Sequence, residues 1–144
     1  MSTFVSIVMS AYNAEEYLAE AIESTLAQTY TNFEFVIIND GSKDKTLEII
    51  KKYQAQDNRI IIDDHENMGM ANSCNRILPS LKGKFIARID ADDVMMPQRI
   101  EKQVKLLEEN SQIDMTSCYC ELINAKGNKV GVQQLMGFAS VEES

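Results

Sequence analysis

The sequence predicts an α/β fold, a mostly parallel sheet flanked by helices, from the way its apolar residues are grouped. Short Val- and Ile-rich runs, too brief for helices, alternate with longer stretches whose apolar residues recur every three or four positions. That alternation makes right-handed crossovers and a parallel sheet the economical topology. No Pro/Gly linker, internal repeat or low-complexity tract interrupts the 144 residues, so 1–144 reads as a single domain.

The first strand is read at residues 4–9, apolar enough to be covered on both faces. Asn13 is then placed to cap a helix, with Glu16 completing a capping box and Leu18, Ile22 and Leu26 on one side, ending near Gln28. A second buried strand follows at 33–39, broken by Asp40-Gly41-Ser42 before a helix carrying Leu47, Ile50 and Tyr53. Residues 60–62 supply a third strand, and Asn67-Met68-Gly69 turns the chain into a helix with Ala71, Cys74, Leu78 and Leu81 on one face.

After Gly83, a strand at 84–89 runs directly into Asp90-Ala91-Asp92-Asp93. Pro97 fits the first turn of a further helix, with Ile100, Val104 and Leu107 inward and Glu101, Lys102 and Glu108 outward. Residues 115–123 read as a strand, 124–128 as a turn and 129–132 as a short strand, whereas 133–144 show no period.

Charge narrows the partners. Fourteen basic against 22 acidic residues give a net charge of −8, which disfavours nucleic acid or an anionic membrane, since both favour a basic face. The amino-terminal segment has neither a signal peptide's basic flank nor a long apolar run, so no membrane span is expected and the cytoplasm is the default compartment. Cys74, Cys118 and Cys120 read as packing residues rather than zinc ligands or disulfides, and His65, in a polar run, reads as a surface loop residue without chemistry.

In a parallel sheet ligands bind beyond the carboxyl ends of the strands, which makes Ser10, Tyr12, Asn13, Asp40, Ser42, Asn67, Asp90 and Asp92 candidates for one crevice. If the acidic segment is extended, Asp90 and Asp92 face the same way. Two carboxylates ~4 Å apart repel by about 4 kcal/mol at an effective dielectric near 20, and a divalent cation turns that repulsion into attraction. The structural alternative is a solvated Asp-rich turn beside the Pro97 helix. Arg88 either pairs with the acidic cluster or covers a ligand bound there, and a strand residue neutralised by Asp90, Asp93 or a neighbour is the favoured reading.

Neither GxGxxG nor GxxxxGK[ST] follows the first strand, so dinucleotide and P-loop sites fit poorly. A nucleoside diphosphate held without a glycine cradle fits the remaining parts: Tyr12 stacks on a base, Asp40 accepts from a base N–H, and a cation neutralises the diphosphate. Taken singly, Tyr12 could instead close the top of the core, and Asp40 could form an Asx turn with Gly41.

The blocks 4–13, Ile38-Asn39-Asp40-Gly41-Ser42, Asn67-Met68-Gly69 and 86–93, continuing through 97–103 to about Val130, resemble family 2 glycosyltransferases of the Rossmann-like GT-A fold. The resemblance implies transfer of a sugar from a nucleoside-diphosphate donor, UDP by default, with inversion, and a role in polysaccharide biosynthesis. It implies that Ser10 and Tyr12 hold the base, that Asp40 reads it, that Asn67 and Gly69 pass by the donor, that Asp90 lies near ribose and metal, and that Asp92 binds the metal, manganese or magnesium. The glycan, lipid or protein acceptor is not identified, nothing speaks against a homo-oligomer, and peripheral attachment to the inner membrane fits a full-length protein. Relatives are longer, so the chain is read as a donor-binding part, with the general base expected outside it. The rival readings are a non-catalytic nucleotide-binding or interaction module and a nucleotidyltransferase.

Overall fold

The computed structural model describes residues 2–133; the predicted aperiodic tail from 134 onward lies outside them. These residues form two compact units, the first ending at Val104 and the second beginning at Lys105.

The first unit is built on four parallel strands, β1 (Val5–Ala11), β2 (Phe33–Asp40), β3 (Ile60–His65) and β4 (Phe85–Asp90), in the order β3-β2-β1-β4. Helices cover both faces. Val5, Ile7, Met9 and Ala11 of β1 with Phe33, Phe35 and Ile37 of β2 point to one side, where they meet Leu18, Ala21 and Ile22 of α1 (Leu18–Leu26), Ile50 of α2 (Thr46–Gln54), and Ile100 and Val104 of α4 (Arg99–Glu109). Val8, Val36 and Ile38 point to the other, against Ile77 of α3 (Met70–Ile77). The period of two along each strand thus feeds two cores. Buried Glu34 accepts from the Ser6 hydroxyl at 2.6 Å and from the Lys82 N–H at 2.7 Å, tying the entry of β4 to the central strands.

Several local expectations need correction. Asn13 does not cap α1: it has φ of 50°, the helix begins at Leu18, and the Asn13 and Glu15 side chains accept from the N–H groups of Lys43 and Lys45 instead. β3 continues through Asp63, Asp64 and His65, because pairing with Ile38, Asn39 and Asp40 compensates for their polarity. α3 stops at Ile77, before Pro79, and buries Ser73 and Ile77 rather than Ala71 and Leu78. Pro97 precedes α4 instead of opening it; its carbonyl accepts the Thr29 N–H, while Gln28 bonds Met96 and Ile100 on either side.

In the second unit only Cys120–Ile123 of the predicted strand forms β5, paired antiparallel with β6 (Lys129–Gln133). The side chain of Asn124 accepts from Lys126 and Asn128, and Gly127, at φ of 75°, completes the turn. Cys118 and Cys120 are exposed and Cys74 is half-buried, so only Cys74 has the packing role expected of all three. Among the described residues no helix is long and apolar enough to cross a membrane.

Candidate functional site

At the carboxyl end of the sheet Ser10 of β1 stands in register with Asp90 of β4. The acidic segment beyond is not extended: Asp93 N–H donates to the Asp90 carbonyl at 3.2 Å, closing a turn. The i,i+2 argument for convergence therefore does not apply, yet the turn turns both acids to the same hollow. A groove of about 320 Å³ is lined by Ser10, Tyr12, Asn13, Ala14, Tyr17, Asp90, Ala91 and Asp92. Ala91, 8% exposed, packs into the first core beneath the acids, and Tyr12, 54% exposed, presents its ring at the surface.

Charge is concentrated and partly balanced here. Arg88 Nη2 lies 2.5 Å from Asp90 Oδ1, the expected ion pair. Burial, with Asp90 and Asp92 adding repulsion, pushes the Asp93 carboxyl above its usual range, while Arg99 and Arg88 pull it back. Arg99 donates to the Arg88 carbonyl at 2.9 Å. No set of three His, Cys, Asp or Glu side chains among the described residues encloses a cation. Two carboxylates opening on a groove fit an ion of the magnesium or manganese class, whose shell is commonly completed by substrate phosphates and water.

Asp40, at the end of β2 and 2% exposed, is turned towards the loop that follows β3. Its Oδ1 accepts from Met68 N–H at 2.8 Å and the Ser73 hydroxyl at 2.9 Å, and its Oδ2 from Gly69 N–H at 3.0 Å and Asn67 Nδ2 at 3.2 Å. Burial pushes this carboxyl up, but the bonds from Met68, Ser73 and Gly69, helped by the nearby His65, outweigh it and hold the group below the usual carboxylate range. Asp40 is thus the anchor of loop 67–69.

His65 is no surface loop residue. It ends β3 with a side chain only 8% exposed, and its Nδ1 lies 2.8 Å from the Glu66 carbonyl and 3.6 Å from Asp40 Oδ1. Its Nε2 is buried and, though 3.5 Å from Asp63 Oδ2, lacks hydrogen-bond geometry.

The predicted residues fall into two neighbouring groups. Ser10, Tyr12, Asn13, Asp90 and Asp92 share the groove; Asp40, Asn67 and Gly69 form the anchored loop. Cys74 of α3 links them, since its thiol, pushed up by burial, feels Arg88, Asp90 and Asp40. Ser42 belongs to neither: with Asp44 and Thr46 it accepts from the N–H groups of Asn13, Glu15 and Ala14, fastening the loops after β1 and β2 together. Sequence reading missed Tyr17 and Ser73. Ser73 stands one helical turn beyond Gly69, a spacing that could have singled it out.

The glycosyl transferase family 2 model matches residues 6–133. An uncharacterized glycosyltransferase of Haemophilus influenzae is 46% identical over 123 residues, 85% of this chain and 38% of its own length. The chain therefore spans less than half of that relative. Among solved structures, S. aureus TarS 1–349 in complex with UDP-GlcNAc superposes with a TM-score of 0.67 at 27% identity, covering 76% of this chain and 32% of that one. The mannosyltransferase PcManGT of Pyrobaculum calidifontis, in complex with GDP-Man and Mn2+, gives a TM-score of 0.68 at 22% identity over 74% of this chain and 33% of its own, a likeness of fold alone. The parallel sheet with helices on both faces is of the GT-A type.

Proposed function

Because the chain belongs to glycosyl transferase family 2, we propose that its first unit is the donor-binding part of a metal-dependent, inverting glycosyltransferase that takes a sugar from a nucleoside diphosphate, UDP by default. The observation that carries this reading is the groove gathering Ser10, Tyr12, Asp90 and Asp92 from the ends of β1 and β4. The nucleotide sugars in the TarS and PcManGT complexes, and the Mn2+ in the latter, support it.

Ser10 and the exposed Tyr12 ring hold the base; Asp90 serves the ribose and, with Asp92, the cation. A manganese or magnesium ion bound there supplies Lewis-acid stabilisation of the leaving diphosphate. The loop carrying Asn67 and Gly69 walls the donor, and Asp40 holds that loop in place. Asp40 reads a base N–H only by sharing or giving up one of its four present bonds.

An inverting transfer also needs a general base at the acceptor hydroxyl, and we assign it to residues beyond this chain, in an acceptor-binding part that takes a glycan, lipid or protein. The 144-residue chain is then expected to bind donor and metal with little transfer of its own; robust turnover with an added acceptor would refute that assignment.

A thermal-shift screen of UDP, GDP, dTDP and CDP with and without Mn2+ tests the reading. Stabilisation by a diphosphate that depends on the metal, and its loss in Asp92→Asn, is the expected result. Preference for triphosphates favours a nucleotidyltransferase, and no response favours a non-catalytic module.

A further inference from the structure

Arg88 and Asp90 lie two residues apart on β4 and therefore on the same face of the sheet. Their ion pair, at 2.5 Å, stands in water, with side chains 55% and 46% exposed. It occupies one oxygen of a carboxylate that the donor-site reading assigns to a cation. A guanidinium and a divalent ion gathered on one carboxylate repel each other, so binding of either weakens the hold of the other. An exposed pair is also a weak one, readily exchanged.

The surroundings limit what else can supply positive charge. Among the described residues the groove's lining carries no basic side chain. Arg99, the neighbouring arginine, is tied to the Arg88 carbonyl, and its Nε is buried. Arg88 alone of this pair has an exposed guanidinium whose side-chain partner is an acid of the groove.

Resting on the reading above, we propose that Arg88 is a resident counter-ion of Asp90 that a divalent cation displaces, and that its released guanidinium then serves the anionic ligand in the groove. Arg88 balances the acidic turn when no cation is bound and adds a second positive contact to phosphate once one is. Cation and nucleotide binding are coupled through one side chain.

The test measures Mn2+ alone, by electron paramagnetic resonance of the free ion, and UDP at saturating Mn2+, by calorimetry, on the full chain. Arg88→Gln should bind Mn2+ about two- to fivefold more tightly than wild type, the range an exposed ion pair allows, and UDP several-fold more weakly. Lys84→Gln removes the same charge just before β4, beside the Phe85 ring, and should leave both affinities at wild-type values. Arg88→Lys should recover part of the UDP affinity. If wild type binds Mn2+ and UDP but Arg88→Gln matches it in either measurement, or Lys84→Gln shifts as much, the role of Arg88 is overturned while the donor site stands. If wild type binds neither probe, both fall.

Discussion

A side-chain carbon on Gly41 would stand 2.4 Å from the backbone nitrogen of Asn67. The turn after β2 and the loop after β3 therefore share a space that only glycine leaves open, and Gly41 also holds φ of 70°. Gly41→Ala should cost roughly 2–4 kcal/mol, combining left-handed strain with a clash against backbone that cannot swing away. Gly69→Ala is the contrast: φ of 84° and ψ of 147° place it in an extended region of positive φ that favours glycine, but nothing lies within 4 Å, so only backbone strain, about 1–3 kcal/mol, should be felt. Urea denaturation of both variants checks this; a loss in Gly41→Ala below about 2 kcal/mol, within what left-handed strain alone costs, would refute the steric part.

The sheet was legible because its two central strands, β1 and β2, bury both faces, so that the apolar runs at 33–39 and 4–9 could scarcely be anything else. Asp63 to His65 were not, because their place in β3 comes from hydrogen bonds to a neighbouring strand and leaves no apolar mark. The acids at 90 and 92 were found by composition, but the shape that joins them, a turn with Ala91 plugged into the core, was not readable from spacing. Asn13 shows the commonest limit. Its residue type suits a cap, and which N–H groups it meets depends on a loop 30 residues away.

Asp40 should make the fold acid-sensitive in a defined sense. Its folded pKa lies below the ordinary value near 4, so its contribution is full above that value and is lost as pH falls through the lower, folded one. Asp40→Asn should cost roughly 2–3 kcal/mol at neutral pH, because an amide cannot accept from Asn67, Met68, Gly69 and Ser73 as a carboxylate does. The stability gap between wild type and variant, followed by chemical denaturation, should narrow as pH drops below about 4. A gap constant down to the acid transition would mean that the carboxylate's charge is irrelevant to the loop.

Tyr53 of α2 donates its hydroxyl to Glu23 of α1, and this bond, with burial and the Glu23 charge, pushes the phenol up to about 12. The folded value exceeds the unfolded one near 10, so the contribution is complete below about pH 10 and is lost as pH rises through 12. Ultraviolet titration should show a late-ionising tyrosine that disappears in Tyr53→Phe and moves towards 10 in Glu23→Gln. An unaltered titration in Glu23→Gln would separate the two residues.

Tyr12 separates binding from packing. A ring that closes the core would, on truncation, cost stability and leave ligand affinity alone; a stacking platform does the reverse. At 54% exposure and on the rim of the groove, Tyr12→Ala should change stability by no more than about 0.5 kcal/mol. It should weaken UDP binding in the presence of Mn2+ by about 1–3 kcal/mol, the usual contribution of one base stacked on one aromatic side chain. Tyr12→Phe keeps the π-face and should retain most of the affinity. Calorimetry alongside thermal unfolding reads both quantities on the same samples, and a destabilised Tyr12→Ala with wild-type affinity would return the ring to the core.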